Sequence, residues 1–177
     1  MSEVNSAILD RLHAVKGFVF DMDGTLILGD KKNNNMIPLP GAIAFITLLR
    51  QQNIPYVVMT NGTARSPADY IEVLSAAGIP MSSNTMMTPS SVAADYFVQQ
   101  GHKRIMVLGC PGVWQPLADL GLEVVLSNKA DGKKVDAVYI GWYREFGFVD
   151  LEAAWLAARD GADLFTASDV PFFASAQ

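Results

Sequence analysis

Ten residues constrain this chain most: Gly17 to Leu26 read Gly-Phe-Val-Phe-Asp-Met-Asp-Gly-Thr-Leu. Gly17–Phe20 is a short β-favouring apolar run, which predicts a buried strand. The run stops in two carboxylates, Asp21 and Asp23, followed by Gly24. Side chains two apart in an extended segment point the same way, so both carboxylates are expected in one space. The carboxyl end of a strand is also where open α/β sheets place their sites. Two such charges repel, and one pKa rises unless a cation lies between them, so the stretch calls for a shared proton or a divalent metal. The plain alternative is a strand-to-turn junction whose aspartates cap the turn, because Asp-Gly is ordinary turn chemistry.

The rest of the chain repeats a strand-then-helix grammar. A weak helical pattern over Ser6–Val15 precedes the first strand. The polar run Gly29–Met36, with Lys31-Lys32-Asn33-Asn34-Asn35, reads as an exposed flap or loop. Pro40-Gly41 introduces a helix over Ala42–Gln52, with Asn53 as its stop. Ile54–Met59 is a second buried strand, ending in Thr60-Asn61-Gly62-Thr63. Ser66 is placed to cap the next helix, with Pro67 at its first position and Gly78 near its end. A second block follows a soft boundary near Ser82-Ser83-Asn84. Its expected elements are a helix over Pro89–Gln100, capped by Thr88 with Val92, Tyr96 and Phe97 inward, and a strand over Arg104–Leu108. A helix over Val113–Leu120, strands over Leu122–Leu126 and Val135–Ile140 separated by a polar turn over Ser127–Lys134, a helix over Val149–Arg159 and a strand over Leu164–Ala167 complete it. The expected fold class is therefore α/β with parallel strands.

If the strands ending at Asp21 and Thr60 are neighbours, both ends open on one crevice. Asp21 then offers a carboxylate nucleophile of the kind that takes up a phosphoryl group. Asp23 can protonate a leaving oxygen and later activate water. Thr60, Asn61 and Gly62 supply hydroxyl, amide and backbone donors for phosphoryl oxygens. The chemistry is mostly positioning and charge neutralisation, so Mg²⁺ is the expected third party, held by Asp21 and Asp23. Taken alone, Thr60-Asn61-Gly62 also reads as a strand-to-helix turn.

Composition sets the limits. Half of the 177 residues are hydrophobic and 18% are charged, which predicts a substantial core. The net charge of −5 and the lack of a Lys/Arg cluster argue against a nucleic-acid footprint. No stretch approaches the length needed to span a bilayer, and Met1–Val15 has no signal-peptide core. The single cysteine, Cys110, leaves no internal disulfide and fits a reducing compartment. A cytoplasmic setting is the expectation. Cys110 and His102 both read as structural residues, and Arg65 reads equally as a phosphate ligand or the partner of an acidic neighbour.

With these residues in view, Phe18–Leu26 resembles the first motif of the haloacid dehalogenase superfamily, and Thr60-Asn61 after an apolar strand resembles its second. Ile37 through Gly78, from Ile-Pro-Leu-Pro-Gly-Ala to the Thr-Asn-Gly strand end and Arg65, is similar to the NagD-like, para-nitrophenylphosphatase-type branch. The resemblance implies the N-terminal half of a Rossmann-like core over residues 1–85 and an inserted α/β cap domain over 86–177. It implies Asp21 as nucleophile and Asp23 as acid/base, with Asp23 touching Mg²⁺ through its backbone carbonyl. It also implies Thr60 and Asn61 as phosphate ligands, Gly24 for the tight turn and Thr25 to help fix it. The activity implied is Mg²⁺-dependent hydrolysis of a small phosphorylated metabolite.

The departures carry as much weight. The family also uses a lysine in a Gly-Lys-Pro context and a later acidic Gly-Asp motif, and neither stands before Gln177. Lys133 and Lys134 follow Gly132 but read as a solvated turn. The expectation is thus the N-terminal part of a longer protein, impaired by itself and prone to form a homodimer. Gly141-Trp142-Tyr143 and Thr166-Ala167-Ser168-Asp169 depart from the branch's usual wording, making Trp142, Tyr143, Arg144 and Asp169 candidate specificity residues. Two rival readings remain open: a non-catalytic fragment that binds phosphate, metal or a partner, and a phosphoryl transferase such as a phosphomutase.

Overall fold

The computed structural model describes residues 14–30 and 35–169. Strand β1 (Phe18–Asp21) leads into β2 (Ile27–Asp30) and β3 (Asn35–Pro38). Helix α1 (Ala42–Gln51), β4 (Tyr56–Met59), α2 (Pro67–Ala76) and β5 (Met86–Met87) follow. The second block comprises α3 (Pro89–Gln100), β6 (Arg104–Leu108), α4 (Pro111–Asp119), β7 (Glu123–Leu126), β8 (Ala137–Ile140), α5 (Phe148–Arg159) and β9 (Asp163–Thr166). Strands β1-β4-β5 form one parallel sheet and β7-β6-β8-β9 another. The α/β class expected from the strand-then-helix order is what the chain adopts.

Local chemistry explains the boundaries. Asn53 takes a left-handed conformation (φ 54°) just past α1, a role its short polar side chain tolerates. Ser66 accepts from the Asp69 N–H while Asp69 accepts from the Ser66 N–H, a reciprocal cap on α2 with Pro67 at its first position. Thr88 and Ser91 make the same exchange at α3.

Packing divides into three apolar clusters. α1 and α2 bury Ile46, Leu49, Tyr70 and Leu74 against Tyr56 and Val58 of β4. In the second sheet β6 alternates: Ile105 and Val107 meet α3 and α4, while Met106 and Leu108 share a core with α5. Each large side chain removed from water here contributes about 1.5–3 kcal/mol. At the amino ends of these strands, Asp136 accepts from the Lys103 and Arg104 N–H groups at 2.7 and 2.9 Å. Arg104 grips Asp131 through two 2.9 Å hydrogen bonds and Glu123 through one of 2.7 Å. The carboxyl ends are left to loops.

Four expectations need correction. Of the run Gly29–Met36, expected as an exposed flap or loop, Gly29–Asp30 and Asn35–Met36 are in regular strands, β2 pairing antiparallel with β3, and the flanking Leu28 and Ile37 are exposed. Met86–Met87 forms a strand that the pattern did not announce, so the first sheet reaches past residue 85. Val92 and Tyr96 lie on the outer side of α3, whose buried residues are Ser90, Ala94 and Phe97. Ser127 opens a 3₁₀ turn and is buried, donating to the buried Asp150 of α5 rather than facing water. The helical pattern over Ser6–Val15 lies outside the described residues except for Ala14 and Val15, which are non-helical. Among the described residues β1 lies at the edge of its sheet, and its Val19 is 71% exposed.

Candidate active site

β1 and β4 are hydrogen-bonded neighbours in register, with Asp21 opposite Met59, so both candidate strand ends open at the same place. Asp21 and Asp23 are exposed while Met22 between them is 2% exposed, as alternation requires. Beyond β1 the chain folds tightly: the Leu26 and Ile27 N–H groups both donate to the Met22 carbonyl, and Gly24 donates to that of Ile27. Gly24 turns this corner at φ +79°, a conformation that disfavours a side chain. The loop holds Asp23 beside β4.

Across the gap, the Thr60 hydroxyl donates to Asp23 Oδ2 at 3.3 Å and accepts from the Gly62 N–H at 3.0 Å. Thr60 is buried, and its own N–H donates to the Met87 carbonyl of β5. Asn61 is exposed at the turn. Although the residue is exposed overall, partial withdrawal of the Asp23 carboxyl from water against β4 pushes it above its ordinary range; the Thr60 hydroxyl lowers it and the nearby Asp21 charge raises it further. A carboxyl with a raised pKa holds its proton longer, which suits a group that delivers one.

Two residues missed by the sequence reading also shape this turn. Tyr70 of α2 is 5% exposed, and its hydroxyl fills the space that a Cβ on Gly62 would need. Burial, then the Asp23 charge, pushes that phenol up to about 12, so it stays neutral. Thr63 is buried and accepts from the Trp142 N–H at 3.0 Å. Its only sequence signal was its place directly after Thr60-Asn61-Gly62.

The other candidates separate. Trp142 is brought to Thr63, with the Arg144 guanidinium 5.9 Å from its ring centre. Tyr143 instead packs on the α5-side core, its hydroxyl 3.5 Å from Asn128. Asp169 is exposed past β9. Cys110 caps α4 and His102 lies against Phe97 and Phe165, 3.3 Å from Asp163. Lys133 reaches Asp131 at 3.5 Å, in the loop near the amino ends of the second sheet, as a solvated turn would.

The residues present suit a hard cation. Mg²⁺ takes oxygen ligands, commonly one or two carboxylates with phosphate and water. Asp21 and Asp23 offer such oxygens, and a cation there would offset both the desolvation that raises Asp23 and the smaller contribution of the Asp21 charge. Among the described residues no group of three or more His, Cys, Asp or Glu side chains converges on a metal position.

A family model described as haloacid dehalogenase-like hydrolase matches residues 18–123. The chain belongs to this haloacid dehalogenase-like family. It is 28% identical over 148 residues to a 5′-nucleotidase of Bacillus subtilis, covering 83% of this chain and 53% of that protein. Among solved structures, a hypothetical protein of Pyrococcus horikoshii superposes with TM-score 0.78 at 28% identity, over 87% of this chain and 58% of the other. A glycerol phosphate phosphatase of Mycobacterium tuberculosis, solved in complex with magnesium, gives 0.73 at 25% identity, over 88% and 44%. This haloacid dehalogenase-like chain thus spans about half the length of the curated relatives it matches. No helix among its described residues is long and apolar enough to cross a membrane.

Proposed function

We propose that this chain carries the nucleophile half of a phosphatase site that hydrolyses a small phosphorylated metabolite. The observation that carries the reading is the junction of Asp21, Asp23 and Thr60 at the ends of two paired strands, with Asp23 held above its ordinary pKa. An Asp21 carboxylate oxygen attacks phosphorus as the bond from phosphorus to the leaving oxygen breaks. Asp23 passes its proton to that oxygen. Water then attacks the aspartyl-phosphate, gives a proton to Asp23, and inorganic phosphate leaves Asp21 free. Thr60, Asn61 and Gly62 hold the phosphoryl oxygens. Asp21 and Asp23 would hold Mg²⁺, which when bound neutralises charge on those oxygens.

The membership in a hydrolase family and the likeness to a nucleotidase and a glycerol phosphate phosphatase support a phosphomonoester substrate. Those two relatives act on different molecules, so neither substrate is transferred. The pairing of β5 with β4 and the packing of α3 in the second core support a division near Thr88, with the second block as a cap. Trp142 and Arg144 are the cap residues best placed to meet a leaving group, through the contact of Trp142 with Thr63; Tyr143 and Asp169 are secondary. The single cysteine supports a cytoplasmic setting.

A second reading keeps the same site but without turnover: the 177-residue chain binds phosphate and does not hydrolyse its esters. The lack of a third metal-ligating side chain beside the two carboxylates, among the described residues, favours it. Para-nitrophenyl phosphate hydrolysis in Mg²⁺ separates the readings when this chain is compared with a longer protein containing it. Full activity in the short chain refutes the second. Inactivity of both, with no phosphate binding, refutes the first.

A further inference from the structure

Residues 63–65 follow directly on the turn proposed to bind phosphate, and loops from the carboxyl ends of β6 and β8 converge on them. The Trp142 N–H donates to Thr63 Oγ1 at 3.0 Å. The Cys110 thiol donates to the carbonyls of Thr63 and Ala64 at 3.5 and 3.6 Å. Gly112 lies so close that a Cβ there would fall 2.4 Å from the Arg65 nitrogen. The two loops also hold each other, through the Cys110 N–H and the Trp142 carbonyl at 3.0 Å.

The chemistry of Thr63 matters because of what it faces. A backbone N–H withdrawn from water needs an acceptor, and Trp142 finds one in the hydroxyl of a residue only 7% exposed. We propose that Thr63 is a positioning residue that latches the second block onto the phosphate loop, so that filling the loop and closing the second block favour each other. The proposal rests on the phosphate-site reading above. The loop from Thr60 to Gly62 is covalently continuous with the latch and ordered by the Thr60 hydroxyl, so an anion that fixes one fixes the other. Such coupling is reciprocal: closing the latch must tighten phosphate binding by the same factor.

Cys110 is the single cysteine and lies within the latch, so its thiol reports opening directly. The test is the rate of Cys110 alkylation by monobromobimane in the wild-type chain, Thr63→Ser and Thr63→Val, with and without inorganic phosphate and Mg²⁺. Loss of one hydrogen bond predicts labelling about fivefold faster in Thr63→Val, while Thr63→Ser keeps the acceptor and the wild-type rate. Phosphate should slow labelling in the wild type and Thr63→Ser but not in Thr63→Val. Equal rates in wild type and Thr63→Val overturn the latch. Should Thr63→Val fail to fold by circular dichroism, Gly112→Ala decides, because its Cβ wedges the same contact and must also speed labelling; an unchanged rate there overturns the latch. Phosphate binding is followed separately by phosphorus NMR. Binding without slowed labelling overturns the coupling. No binding overturns the phosphate-site reading and the coupling with it, while the phosphate-free rates still judge the latch.

Discussion

The Thr60 hydroxyl donates to the Asp23 carboxylate at 3.3 Å, joining the end of β4 to the turn after β1. This bond lowers the Asp23 pKa against the opposing effects of burial and Asp21. Thr60→Val should therefore raise the pH at which Asp23 titrates, while Thr60→Ser leaves it near the wild-type value. Carboxyl carbon NMR of Asp23 measures it, and an unchanged or lowered titration in Thr60→Val counts against the contact.

The same raised pKa sets a sign for stability. A carboxyl whose folded pKa lies above its unfolded value contributes stability below the unfolded value of about 3.8, and that contribution is lost as pH rises through the folded pKa. Asp23→Asn, always neutral, should be more stable than the wild type at pH 7 and about equal near pH 3. Urea unfolding at the two pH values reads this out; a destabilised variant at pH 7 disagrees with the account.

Asp131 runs the other way. The Arg104 guanidinium and then the Lys133 N–H hold its carboxyl down at about 2. Its contribution is present above the unfolded value of 3.8 and lost as pH falls through about 2. Asp131→Asn should be less stable than the wild type at pH 7, and the gap should close between pH 4 and pH 2. A gap constant with pH would assign the loss to something other than charge.

How much could be read in advance depended on how far apart the partners lie in sequence. Asp21, Asp23 and Thr60 were legible because each ends an apolar run, and the turn chemistry of Gly24 and Ser66 is local. β5 was not: Met86–Met87 has no β-branched residue and becomes a strand only by pairing with β4. The inward face of α3 misled because small Ser90 and Ala94 fill a close approach, leaving the larger Val92 and Tyr96 outside. Thr63 and Tyr70 gain their roles from contacts across the fold, such as Trp142 on Thr63, that no spacing within a segment announces.

The α2 cap offers a local check on stability. Ser66 is 6% exposed and exchanges hydrogen bonds with Asp69. Ser66→Ala should cost about 1–2 kcal/mol. Thermal unfolding should show a midpoint about 2–8 °C lower. An unchanged midpoint would mean that the cap is idle.

The uncovered side of β1 should govern self-association. Val19 of β1 is 71% exposed and Met59 of the neighbouring β4 is 42% exposed, on one face of the sheet, and the outer edge of β1 is unpaired among the described residues. Such an edge favours pairing with a second copy. Sedimentation should show concentration-dependent dimers, and Val19→Lys should weaken them about tenfold or more, in keeping with edge charges as a guard. A monomer at all concentrations contradicts this.

The proposed hydrolysis depends on attack by Asp21 on phosphorus. Turnover of para-nitrophenyl phosphate with Mg²⁺ by a protein that contains this chain, measured beside its Asp21→Asn variant, tests this attack. The variant should lose about 10,000-fold or more in kcat while still binding inorganic phosphate through Thr60 and Asn61. Turnover retained in Asp21→Asn would contradict it.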